Sequence, residues 1–214
     1  MISGPSLPDL GERYQYLLRV ISDPAFLEMK GLGNELPFFI CPYPPQETLE
    51  MARIVKQLIR ALGKKGIPVL DINLYDLALE ILAKRNLLER MIASESNYAK
   101  DQFLELLQSV LDVETRLIPA LAEKMGTAKY AVLFITGVGE VFPYIRSHNV
   151  LNNLQIQARN KPTLLFFPGA YTYSPGAGSS LNLFGRLQDD KYYRAFDIFE
   201  FGGWQAGPPA GGSQ

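Results

Sequence analysis

The sequence is poor in the side chains that carry covalent and metal chemistry. Its 214 residues include one cysteine, Cys41, one histidine, His148, and one tryptophan, Trp204. A disulfide needs two cysteines, and a structural zinc site normally takes four Cys/His ligands, so a single chain supplies neither. An excess of charge of one sign is lacking too. Lys and Arg total 21 against 22 Asp and Glu, a net charge of -1. Broad, non-specific nucleic-acid binding needs a strong positive field, which this composition does not give. The apolar run Tyr130–Ile135 falls far short of the roughly 20 residues a membrane helix needs. The opening Met-Ile-Ser-Gly-Pro-Ser-Leu-Pro has no basic stretch followed by an apolar one. No secretory signal is therefore expected, and a lone reduced cysteine suits the cytoplasm.

What the chain does have is material for a core. Hydrophobic residues make up 47% and charged residues 20%, which suits one α/β domain over residues 1–200. Residues 201–214 are uncharged and rich in Gly and Pro, as in a flexible tail. Apolar spacing of three and four predicts a helix over 9–22, and another bearing Leu49, Ala52, Val55, Leu58, Ile59 and Leu62 that Gly63 can close. Asp23 followed by Pro24 predicts a short helix through Met29. Residues 74–125 read as helix in three pieces, broken near Ala93–Asn97 and Asp112, with Pro119 at a helix start or kink. One more helix is expected over 143–158. Short apolar runs predict strands at Pro37–Cys41, Ile67–Ile72, Tyr130–Thr136, Pro162–Phe167 and Tyr193–Phe199. Strands separated by helices imply a mostly parallel sheet covered on both faces, a Rossmann-like three-layer sandwich.

In such a sheet, ligands sit at the carboxyl ends of the strands, so the loops there are where chemistry is expected. The first, Cys41-Pro-Tyr-Pro-Pro45, is too rich in proline to cradle phosphate with backbone N–H groups, and no G-x-x-x-x-G-K-[ST] occurs in the chain. The core therefore resembles that of P-loop NTPases without the P-loop. Cys41 is either a small buried residue or a nucleophile with His148 as its base. In the second loop, Asp71 or Asp76 can ligate Mg²⁺, or Asn73 or Asp76 can cap the next helix. The third, Thr136-Gly-Val-Gly-Glu140 and on to Arg146 and His148, is the most distinctive. Gly137 and Gly139 allow close backbone approach and an anion nest; a tight turn capping the next helix is the other reading. In the fourth, Pro168-Gly169 signals a turn, and Gly176–Ser180 a flexible surface loop. The polar and aromatic segment Arg186–Arg194, with Asp190 and Tyr193, suits a docking surface or internal salt bridging. Between Thr136 and Phe196, six basic residues face three acidic ones, a local excess suited to an anionic patch on a partner.

Several segments together resemble a known family. They are Pro24–Leu27, Gly31–Phe38, Thr136–Gly139, Arg146–His148 with Leu151–Gln155 (including Asn152), Pro168-Gly169, Leu183–Arg186 and Asp190–Phe196. They resemble the BrxB family of bacteriophage exclusion (BREX) systems, across about residues 12–199, with the Gly/Ser-rich stretch 173–180 as an insertion. The resemblance implies a small core subunit encoded beside a large ATPase, a DNA methyltransferase and an alkaline-phosphatase-like protein. It brings no catalytic activity, cofactor or metal that transfers residue by residue. The expectation is a non-enzymatic adaptor in a phage-defence complex, with those larger subunits as partners and no membrane association. Thr136, Gly137, Gly139, Glu140, Arg146, His148, Asn152, Arg186, Asp190, Tyr193 and Arg194 are its candidate surface. Two alternatives stand beside it: a nucleotide- or phosphate-binding protein, even an enzyme, using the Thr136–His148 corner, and a weak DNA-binding subunit.

Overall fold

The central strands are apolar on both faces, and this dictates the architecture: each face must be covered by helices. In a computed structural model, which describes residues 9–30, 37–174, 178–184, 187–189 and 195–201, they form a parallel sheet. The strands are β1 (Phe38–Tyr43), β2 (Val69–Asn73), β3 (Val132–Thr136), β4 (Thr163–Ser174) and, at the far edge, β7 (Phe196–Asp197). Their order is β2-β3-β4-β1-β7. Alternation along β1 sends Phe38 and Ile40 to one face and Phe39 and Cys41 to the other, and all are buried. Each such side chain stabilises the fold by about 1.5–3 kcal/mol when removed from water.

The Phe39 face is covered by α1 (Leu10–Ile21), α2 (Pro24–Leu27), α3 (Thr48–Lys64) and α9 (Ile198–Phe201). Asp9 caps α1 by accepting from the Glu12 N–H at 2.9 Å, and Asp23 caps α2 through the Ala25 N–H at 2.7 Å. Arg13 of α1 is buried and reaches Glu47, just before α3, at 2.6 Å. The Tyr16 hydroxyl donates to the Phe199 carbonyl at 2.9 Å and lies 3.1 Å from that of Ile198, tying the first described helix to the last. The Phe38 face is covered by α4 (Leu74–Lys84), α5 (Leu88–Ser94), α6 (Lys100–Val110), α7 (Ile118–Thr127) and α8 (Ser147–Gln157). A π-helical turn, Val113–Leu117, leads into α7, and Asp112 opens it by accepting from the Thr115 N–H.

Three expectations are overturned. The chain does not turn at Pro168-Gly169. Pro168 stands opposite Tyr43 at the end of the parallel ladder, where a missing N–H costs little. From Gly169 the strand continues into antiparallel pairing with β5 (Gly178–Leu183), which pairs in turn with β6 (Leu187–Asp189). A Cβ at Gly169 would lie 2.1 Å from the Asn182 carbonyl oxygen, so only glycine lets the two strands close. The stretch 178–180, expected as a surface loop, is thus strand. The strand expected over Tyr193–Phe199 is also cut to two described residues, because the Asp197 carboxylate accepts from the Phe199 N–H at 2.8 Å and starts α9 there. Residues 202–214, with Trp204, lie outside the described residues.

Asp197 also confers a pH dependence. Burial pushes its carboxyl from 3.8 up to about 6. A folded-state value above the unfolded one means that the folded chain binds the proton more tightly. The stabilisation is present below about pH 4 and lost as pH rises through about 6. Asp197→Asn keeps an acceptor and drops the charge. It is expected to raise thermal stability near neutral pH by on the order of 1–2 kcal/mol, and to do nothing favourable near pH 4. Melting curves at the two pH values check this, and an equal shift at both would contradict it.

Candidate functional site

The carboxyl ends of the parallel strands and the first turns of the helices that follow them share one edge of the molecule. There, on the α3 side of the sheet, a cleft of about 260 Å³ opens. Its apolar wall is Met51 and Val55 of α3 with Phe166 of β4. Tyr43, at the end of β1, lines it too, and burial pushes its hydroxyl up to about 12. The charged lining is uneven: Asp71, Asp76 and Glu140 against Lys56.

Asp71 projects from β2, and the Thr136 hydroxyl at the end of β3 donates to it at 3.3 Å. Its outer surface meets solvent, yet the cleft wall strips water from the carboxylate and holds it above the usual carboxylate range. The Thr136 hydrogen bond and Lys56 oppose that rise, while the charge of Asp76 adds to it. Two residues on, Asn73 caps α4, its side-chain oxygen accepting from the N–H groups of Tyr75 at 2.8 Å and Asp76 at 3.1 Å. The capping role expected here thus falls to Asn73, and Asp76 is left on the cleft. Among the described residues, no group of three or more His, Cys, Asp or Glu side chains is placed to hold a metal ion.

Of the residues singled out in the sequence, Thr136, Gly137 and Glu140 line this cleft. The close approach that Gly137 permits is to its own chain: its φ is +73°, and a Cβ would stand 2.4 Å from the capping oxygen of Asn73. Gly139 packs instead against Pro168 and the ring of Phe184. Arg146 is exposed at the N-cap of α8. His148 is 2% exposed in the first turn of α8, and Asn152 is half-buried on the same helix. Arg186, Asp190, Tyr193 and Arg194 lie outside the described residues.

Cys41 and His148 are not brought together. Cys41 is inside β1 rather than in the loop after it, on the face covered by α1 and α3. The helix bearing His148 packs Val150, Leu151 and Leu154 against the other face. Complete burial pushes the Cys41 thiol far above its ordinary value, whereas a nucleophilic cysteine needs the thiolate. Sequence reasoning missed Tyr43, Thr48, Lys56 and Phe166 as cleft residues. The available signal was the helical spacing of Thr48, Met51, Ala52, Val55 and Lys56, which places them on one side of the first turns of α3.

Residues from β1, β2, β3, β4 and the segments that follow them therefore meet around one cleft, and the chain as a whole is similar to known sequences. A model described as "BREX protein BrxB" matches residues 70–198. The chain is 35% identical to the BREX protein BrxB of Bacillus cereus (strain H3081.97), over 89% of this chain and 98% of that protein. It belongs to the BrxB family. With the BrxB protein of Escherichia coli O9:H4 (strain HS) the identity is 29%, over 89% of this chain and 92% of that one. BrxB membership makes this chain a component of a BREX phage-defence system. No solved structure matches it. No described helix of this BrxB protein is long and apolar enough to cross a membrane.

The Gly137–Asn73 contact makes a measurable coupling. Gly137→Ala is expected to destabilise the fold by about 1–3 kcal/mol, through the left-handed backbone and the clash with the cap. Asn73→Ala should cost about 1 kcal/mol as a lost cap. In the double variant the clash is relieved, so the two losses should sum to more than the measured total. Strict additivity in denaturant melts would show that the contact is not the reason for the glycine.

Proposed function

We propose that this BrxB chain is a non-enzymatic interaction subunit that bridges the larger components of a BREX complex. The observation that carries this reading is the placement of exposed apolar side chains on segments at the carboxyl edge of the sheet. Leu49 (72% exposed), Tyr75 (39%) and Phe184 (38%) are among five large hydrophobics that stand out to solvent among the described residues. Leu49 and Tyr75 begin the helices that leave β1 and β2. Phe184 packs on Gly139, in the loop after β3. Large apolar groups at one edge, interleaved with charge, mark a surface that another protein covers. The chemistry of the same edge supports the reading from the other side. The strand-end loop after β1 is built on prolines, and the cysteine and histidine occupy opposite faces of the sheet.

Co-expression with the large ATPase, the alkaline-phosphatase-like protein and the methyltransferase of the same operon tests bridging. Two of these subunits should co-purify when the chain is present and separate when it is omitted. Leu49→Ser with Tyr75→Ser, and separately Arg146→Glu, should reduce recovery while leaving the melting temperature unchanged. Wild-type recovery by every variant would remove this edge from the interface, and recovery of no subunit by the wild-type chain would overturn the adaptor reading.

The cleft stands where open parallel sheets bind ligands, so the phosphate-binding alternative has an observation in its favour. Its lining nonetheless carries three carboxylates against one ammonium, which repels a phosphate. A ligand at 100 times its dissociation constant stabilises its protein by about 2.7 kcal/mol. Thermal melting with nucleotides, with and without Mg²⁺, is expected to show no such shift; a clear rise would favour the alternative.

A further inference from the structure

Helix α3 carries charge of one sign along its outer face. From Arg53 to Lys65 the chain has five basic residues, Arg53, Lys56, Arg60, Lys64 and Lys65, and no acidic one. All five are exposed. The first four follow one another at three or four residues and so share one side of the helix. Met51, Ile54, Val55, Leu58 and Leu62 bury the opposite side, and Lys65 follows at the C-cap. Two structural roles for such cations do not account for the row. Basic residues in a last turn offset the helix dipole, but the effect ends within that turn, and of the first four only Lys64 lies there. Ion pairing is the other role. Lys84 and Lys124 reach Glu123 and Glu80 across α4 and α7, whereas none of the five α3 cations is in an ion pair among the described residues. Lys56, at the cleft end of the row, does feel the charge of Asp71. Lys56 with Arg60, and Arg60 with Lys64, are like charges four residues apart, an arrangement that weakens a helix. The row therefore costs the free protein stability, and an anion laid along it relieves that cost.

The make-up of the face selects among anions. The other exposed residues between Ala52 and Lys65 are Ala52, Gln57 and Gly63. The core of a protein interface is poor in lysine and is built on aromatic or apolar anchors, which this stretch lacks. Single-stranded nucleic acid is held by aromatic side chains on which its bases stack, and these are lacking too. The backbone of a duplex asks for Arg, Lys and Gln donors alone. From Arg53 to Lys64 the row runs roughly 16 Å at 1.5 Å per residue, a length over which one DNA strand presents about five phosphates. We infer that the outer face of α3 binds duplex DNA through its phosphates, without reading its bases. The near-neutral total does not oppose this, because at 0.1 M salt a charge acts over only about 10 Å, and the row acts on what lies against it. The inference does not rest on the bridging role, nor on the basic residues between Thr136 and Phe196.

The test is fluorescence anisotropy of the full chain with a labelled DNA duplex of arbitrary sequence, across a salt series. With four phosphate contacts, the affinity of the wild type should fall roughly a hundredfold between about 50 and about 200 mM salt. Arg60→Gln combined with Lys64→Gln should weaken binding at least about tenfold at the lower salt, and the slope of log affinity against log salt should shrink by about 2. A control, Arg90→Gln combined with Lys100→Gln, removes the same charge from exposed sites on α5 and α6 and should change neither. No binding by the wild type at the lower salt, or an equal loss in the two double variants, overturns the inference. So does tighter binding to a single strand than to the duplex. Poly-glutamate that displaces the labelled duplex as well as unlabelled duplex does would assign the row to an acidic protein surface and overturn the inference as well.

Discussion

The constraint on which everything else depends is that the central strands are buried on both faces. A parallel sheet has no solvent side, so β1, β3 and β4 must be apolar along their length and covered by two helical layers. Phe38 and Ile40 meet one layer, and Phe39 and Cys41 the other. This single requirement removes the sheet faces from the list of places where polar chemistry can happen. It also explains the inertness of Cys41, which is held in β1 at 0% exposure. Polar and charged groups can converge only where the strands end, and there the cleft forms.

At that edge the backbone does more than position side chains. Asn73 closes β2 and caps α4, and Gly137 exists to let it. One contact thus fixes the exits of β2 and β3 together, and with them Asp71, Asp76 and Thr136. A similar device operates at β4, where Gly169 lets the strand leave the parallel ladder and begin an antiparallel one. The extension carries Phe184 round to the loop after β3. Phe184 and the cleft carboxylates are therefore set by the same few close approaches that hold the fold.

Local signals in the sequence were sufficient for most of the elements and insufficient for the cleft. Asp23 is read as a cap because Pro24 after it is a helix start, and it caps; Asp9, read as the first residue of its helix, caps that helix from just outside it. The breaks near Ala93–Asn97 and Asp112 were legible for the same local reason, while the break after Lys84 was not, because Arg85-Asn-Leu87 continues a helix-compatible pattern. Pro168-Gly169 misled, since turn chemistry and a change of strand partner use the same residues. Asp197 misled in the other direction: a run of aromatics reads as strand, but a carboxylate that captures the N–H two residues on begins a helix. Reading the loop after the third strand named Thr136, Gly137 and Glu140. Their juxtaposition with Asp71, Asp76 and Lys56 depends on strand order, which no local pattern encodes. A nearly neutral chain can therefore carry a distinctly acidic cleft, because composition averages over what the fold separates.

The proposed bridging role places the partner contacts on one surface, the carboxyl edge of the sheet. Hydrogen–deuterium exchange on the chain, free and within the purified BREX assembly, addresses that placement most directly. Slowed exchange is predicted at the first turns of α3 and α4, around Thr48–Met51 and Asn73–Asp76, and in the loop 137–146, with the outer surfaces of α6 and α7 unchanged. Protection confined to those two helices, or to the amino ends of the strands, would contradict the account.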